Sequence, residues 1–145
     1  MKTLPPIILL LLAAGAAQAS PIGLWKTIDD ASQEETAIVR IVERDGALVG
    51  EITAVLDQSA DPNEICSLCT DERRNAPIVG LTIIRNVEPN DKPTGPWDGG
   101  DILDPNNGKV YKLRLKLADG GRKLEVRGYI GRPMFGRTQV WHRVE

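Results

Sequence analysis

The chain has 145 residues, with 18 Lys and Arg against 20 Asp and Glu, one His, two Cys and 41% hydrophobic residues. A net charge of −2, mixed along the chain, argues against nucleic acid and anionic membrane as partners, because both select a basic face. The length fits one domain able to build its own core.

Met1 to Ala19 reads as a secretory leader. Lys2 is its only charge, Ile7 to Ala14 is apolar, and Ala17-Gln18-Ala19 gives an A-x-A cleavage site before Ser20. The apolar run is shorter than the ~20 residues of a membrane span, so a spanning anchor is not expected. No Cys follows the cleavage point to take a lipid. The expected mature chain is a single domain over residues 20–145.

Period-2 alternation then dominates. Leu24 to Thr27 opens as a short strand, and Ala31 to Glu35 has room for one helical turn at most. Thr36 to Glu43 puts Val39 and Ile41 on one face. Asp45-Gly46 is a hairpin turn, and Ala47 to Leu56 returns with Leu48, Ile52, Ala54 and Leu56 on its apolar face. Asp57 to Pro77 is a long polar loop holding Cys66, Cys69 and the charged run Asp71-Glu72-Arg73-Arg74. Val79 to Arg85 is a further strand. Val87 to Gly100 is irregular, with Pro89, Pro93 and Pro96. A short strand over Asp101 to Asp104 ends in the turn Asp104-Pro105-Asn106-Asn107-Gly108.

Val110 to Leu117 alternates most cleanly: Tyr111, Leu113, Leu115 and Leu117 face one way, Lys112, Arg114 and Lys116 the other. After the turn Ala118 to Gly121, Leu124, Val126, Gly128 and Ile130 form the next apolar face, and Arg137 to Arg143 closes the chain. About eight strands joined by tight turns predict an all-β fold, an antiparallel up-and-down barrel with no free edges. In such a barrel Trp25 near the start is expected to plug the base beneath the guanidinium of Arg137 or Arg143, which share strand parity.

The landmarks together resemble a family of secreted bacterial proteins known as domain of unknown function 2147. They are Gly23-x-Trp25, Cys66-x-x-Cys69, Pro77-Ile78-Val79-Gly80-Leu81, Trp97-Asp98-Gly99-Gly100-x-Ile102-x-Asp104-Pro105, Gly108-Lys109-x-Tyr111, Leu124-x-Val126-Arg127-Gly128-Tyr129 and Gly136-Arg137-Thr138-Gln139-x-Trp141. The resemblance implies a lipocalin-like barrel in the periplasm and brings no settled activity, ligand or catalytic residue.

In an oxidising compartment Cys66 and Cys69 are expected to form a disulfide that staples the long loop. A redox-active pair is the alternative, although no βαβ unit accompanies it. One histidine leaves too few ligands for zinc. Asp98, Asp101, Asp104, Asn106 and Asn107 suggest a calcium loop by composition but fit turn chemistry better. Nucleophile elbows, phosphate loops and dinucleotide fingerprints are absent, so no cofactor and no enzymatic activity are expected. The barrel interior remains. Its expected lining is Val39, Ile41, Leu48, Ile52, Tyr111, Leu113, Leu124 and Val126, with Gly50, Ala54 and Gly128 leaving room for a small lipophilic molecule such as a fatty acid or isoprenoid. The competing readings are an envelope interaction module with a packed interior and a thiol-redox protein.

Overall fold

A computed structural model describes residues 2–3 and 19–144. The leader expected over Met1 to Ala19 lies almost wholly outside the described residues. Eight strands follow: β1 (Gly23–Ile28), β2 (Glu35–Arg44), β3 (Ala47–Val55), β4 (Thr82–Val87), β5 (Trp97–Asp104), β6 (Lys109–Ala118), β7 (Lys123–Tyr129) and β8 (Gly136–Arg143). Each pairs antiparallel with its chain neighbours, and β8 returns to β1 through Trp25 opposite Arg143, which closes the barrel. Closure pairs every strand on both sides and removes the exposed edges that an open sheet would carry.

The antiparallel order sends the connections alternately to two ends. The β2–β3 turn at Asp45-Gly46, the β4–β5 connection and the β6–β7 turn lie at the base with Trp25. The β1–β2, β3–β4, β5–β6 and β7–β8 connections lie at the other end. The base is solid. Trp25, Trp97 and Trp141 are all at most 2% exposed, and Ile41, Leu48, Val87, Leu113, Leu115, Leu117 and Leu124 fill the space among them. Arg143 lies 4.2 Å from the Trp25 ring centroid and donates to the carbonyls of Gly121, Ile22 and Ser20. Of the two arginines open at the sequence level, Arg143 is the one over the plug; Arg137 sits at the opposite end in an ion pair with Asp30.

Three expectations are corrected. Trp97 belongs to β5, opposite Leu115, rather than to an irregular stretch. Gly95 makes this close fit feasible: at φ +86 it has no Cβ, and one would stand 2.5 Å from the Trp97 ring. In β3, an extra residue sits between the pairs Ile38–Ala54 and Val39–Ile52, so a bulge at Thr53 reverses the parity. Val55 opposite Ala37 takes the inward place, and Ala54, paired with Ile38, points outward. Ala31 to Glu34 forms a turn and no helix, and Glu35 opens β2; Asp29 Oδ1 accepts from the Ala31 and Ser32 amides.

Residues 56–81 form the long connection between β3 and β4. It is tied to the barrel by Leu56 N to Thr36 O, Gly80 N to Ile52 O, Ile52 N to Leu81 O and Arg73 Nη1 to Thr82 O. Cys66 and Cys69 are disulfide-bonded, and both are buried. Cys66 accepts from the Asn75 amide and donates to Ala76 O, so the staple is woven into its own loop.

Candidate functional site

Above the tryptophan layer the barrel is open. A cavity of about 680 Å³ runs from Trp141 at its floor to the connections at the mouth. Its walls are mostly apolar: Ala37 and Val39 from β2, Ile52 and Val55 from β3, Ile83 from β4, Ile102 from β5, Tyr111 from β6, and Val126 and Gly128 from β7, with Thr27, Thr36 and Gln139 as polar members. Gly128 opens space where a side chain would otherwise stand; a Cβ there would meet Tyr111 and Ile102 at an ordinary 3.5–3.6 Å. Gly50 does the opposite. It is filled by Ile84, whose atoms lie 3.0 Å from where its Cβ would be, so it leaves no room.

Of the eight residues expected to line the interior, Val39, Ile52, Tyr111 and Val126 stand on the cavity wall. Ile41, Leu48, Leu113 and Leu124 are inward-facing but belong to the packed base below it, each at most 2% exposed. Alternation fixes which side of a strand a residue faces; it carries no information on height along the barrel axis. The lining that sequence reasoning missed comes from Ala37 of β2, Val55 of β3, displaced by the bulge, Ile83 of β4, Ile102 of β5, Gln139 of β8 and the connections.

The mouth is polar and is built by four segments. Asp29 comes from the β1–β2 turn, Asp57, Ala60, Glu64 and Ile78 from the long connection, Asp104 to Asn107 from the end of β5 and the turn after it, and Tyr129, Ile130, Phe135, Gly136 and Arg137 from the β7–β8 loop and the strand ends that flank it. Asn107 Nδ2 donates to the Tyr111 hydroxyl at 3.0 Å, and Asp104 Oδ1 accepts from the Asn106 amide at 2.9 Å. Hydrogen bonds from Ser32 hold the Asp29 carboxyl below the usual range, and those from Ser59 do the same for Asp57. Arg137 is the one cation on the cavity lining among the described residues, and Asp30 accepts from its guanidinium. Ile130, Met134 and Phe135, each at least 67% exposed, form an apolar tip beside the opening.

The disulfide loop is seated against the mouth. The Leu68 carbonyl packs on Gly108, at the end of the β5–β6 turn; a Cβ at Gly108 would fall 1.8 Å from the Leu68 oxygen. Burial of Cys66 and Cys69 at 1–2% exposure keeps the sulfurs from an incoming thiolate, which favours a staple over an exchange centre. Asp98 pairs with Arg114, Asp101 faces Arg85, and Asp104 and Asn107 cap their own turn, so this oxygen-rich stretch is engaged by cations and backbone amides. Among the described residues no group of three His, Cys, Asp or Glu is placed to hold a metal, and no helix is long and apolar enough to cross a membrane.

Residues 23–143 match a family described as uncharacterized proteins conserved in bacteria, DUF2147. Among solved structures the chain is similar to HP1028 of the human pathogen Helicobacter pylori, a protein described as belonging to the lipocalin family. The TM-score is 0.74 at 19% identity, over 88% of this chain and 84% of the other. At that identity the likeness shows the fold, a lipocalin-like barrel. No curated protein matches the chain significantly.

Proposed function

The chain belongs to this bacterial family of uncharacterized proteins, and we propose that its barrel is a periplasmic binding module for one small, largely apolar molecule. The observation that supports this reading is the cavity itself. At about 680 Å³ it falls in the range of about 300–1,000 Å³ typical of ligand pockets. A barrel selected only for stability would carry side chains into that space, as its own base does. The Gly128 position adds to the reading, since a larger residue would fit there without a clash. Secretion rests on the leader pattern of residues 1–19; N-terminal sequencing of the exported protein should begin at Ser20.

The binding test uses N-phenyl-1-naphthylamine, a neutral probe that fluoresces in apolar surroundings. The mature protein should bind it saturably. Gly128→Val fills the cavity and should weaken binding by about tenfold, whereas Ala54→Leu, outward-facing beyond the bulge, should not. Saturable binding that ignores Gly128→Val would place the probe elsewhere. Absence of binding would sink the reading and favour an interaction module, for which the exposed tip of Ile130, Met134 and Phe135 is the natural contact.

A further inference from the structure

The binding reading leaves the chemistry of the cargo open, and the mouth narrows it. Asp29, Asp57, Glu64 and Asp104 line the opening, and Asp30 stands beside them on Arg137. The lining itself holds four carboxylates and one guanidinium, a formal charge of −3, and Asp30 takes up that guanidinium. The mature chain, with 17 basic residues once Lys2 is gone and 20 acidic ones, carries −3 in all. The cavity lining thus carries a formal charge as large as that of the whole mature chain, and its carboxylates stand at the entrance to the apolar interior.

A cargo that buries an apolar tail leaves its head group at this ring. A carboxylate or phosphate head would meet like charges there, and Arg137, the one cation on the lining among the described residues, is already held by Asp30, which raises its basicity with a smaller contribution from Asp104 and Asp29 nearby. An ionised head at a cavity mouth needs a partner to offset lost hydration. The carboxylates supply one of the opposite kind: Glu64 makes no side-chain hydrogen bond or ion pair among those described for the mouth, and Asp104 keeps one oxygen beyond the Asn106 amide.

Resting on the carrier reading, we propose that the cavity selects cationic amphiphiles, an apolar chain bearing an amine or quaternary ammonium head, and discriminates against fatty acids. The site is the apolar cavity; the ring of carboxylates decides which head group it accepts. Potentials of one sign at a cleft with low-dielectric walls raise the local concentration of the opposite charge and are screened by salt.

The test is competition against bound N-phenyl-1-naphthylamine by three ligands of one chain length, each below its micelle threshold: dodecyltrimethylammonium, dodecanol and dodecanoate. At low ionic strength and neutral pH the ammonium should displace the probe at a concentration about tenfold or more below dodecanoate, with dodecanol between. The gap should narrow in about 0.5 M salt. In Asp57→Asn/Glu64→Gln/Asp104→Asn, where both Asn replacements keep the turn acceptors, it should shrink to about threefold or less. Dodecanoate displacing as well as or better than the ammonium overturns the head-group preference while leaving the carrier intact. A preference that survives in the triple variant overturns the role of the ring. If none of the three ligands displaces the probe, the carrier reading itself fails and this inference falls with it.

Discussion

Trp25 and Arg143 hold the base of the barrel in two ways at once. The indole fills the bottom of the core and donates through Nε1 to Pro21 O at 2.8 Å; the guanidinium covers its face and gathers three carbonyls that no strand pairs. Trp25→Ala removes a fully buried ring and strands the Pro21 carbonyl, so it should cost about 3–5 kcal/mol of unfolding free energy, measured by urea denaturation. A loss below about 1 kcal/mol would mean that the ring is not a plug. Trp25 was legible as a base residue because Gly-x-Trp opens the first strand. Its arginine was legible only as one of two, since Arg137 and Arg143 share parity and differ only in height. Trp97 was hidden because glycines and prolines surround it, and these are the residues that normally mark loops.

At the scale of elements, the alternation of β2, β6 and β7 gave their facing directly, and the hairpins between neighbours followed from the turn residues. β3 failed halfway along, because nothing in Glu51-Ile52-Thr53-Ala54-Val55 announces which residue the bulge will expel. The long connection was legible as a loop and as disulfide-stapled, but its seat was not, since that depends on β4, β5 and the distant turn at Gly108. Gly108→Ala tests the seat. At φ +73, with the Leu68 oxygen in the way, it should cost about 2–4 kcal/mol and raise the proteolytic sensitivity of residues 56–81, read by limited proteolysis.

The same loop carries a pH dependence. Arg73 is 6% exposed, donates to both oxygens of Asp71, and holds that carboxyl down to about 2. Arg85 reaches Asp71 and Glu72 from β4, and its Nε faces Asp101 Oδ1 at 3.7 Å. A lowered carboxyl pKa means that the folded state binds the proton less readily than the unfolded chain. The stability Asp71 contributes is therefore complete above about pH 4 and is lost as pH falls toward about 2. Asp71→Asn should lower the melting temperature at neutral pH, and the difference from the native protein should shrink across that window. A constant difference down to about pH 2 would show that proton linkage at Asp71 is not what couples the loop to the barrel.

Over the whole molecule, the architecture was legible and the cavity only half so. Strand count, turn spacing and terminal motifs pointed to a closed barrel of the kind observed, because closure is a consequence of local pairing repeated along the chain. Whether a barrel is hollow depends on how layers of side chains meet across it, and that is settled by bulges, by glycines such as Gly50 and Gly128, and by loops that fold over the end. Val39 and Ile41 are neighbours on one face of one strand, yet one stands on the wall of the cavity and the other in the solid floor.

That floor has a consequence for traffic. With three tryptophans and a stacked arginine sealing one end, the described residues form a cup that opens at the other end. An occupant has to leave before a successor can settle, so exchange is strictly sequential. The departure rate of a preloaded fluorescent guest, followed by stopped flow, should therefore not change with the concentration of the competitor that replaces it; a rate that climbs with competitor would mean a second way in. A vessel of this kind carries its contents by moving as a whole, filling at one place and emptying at another.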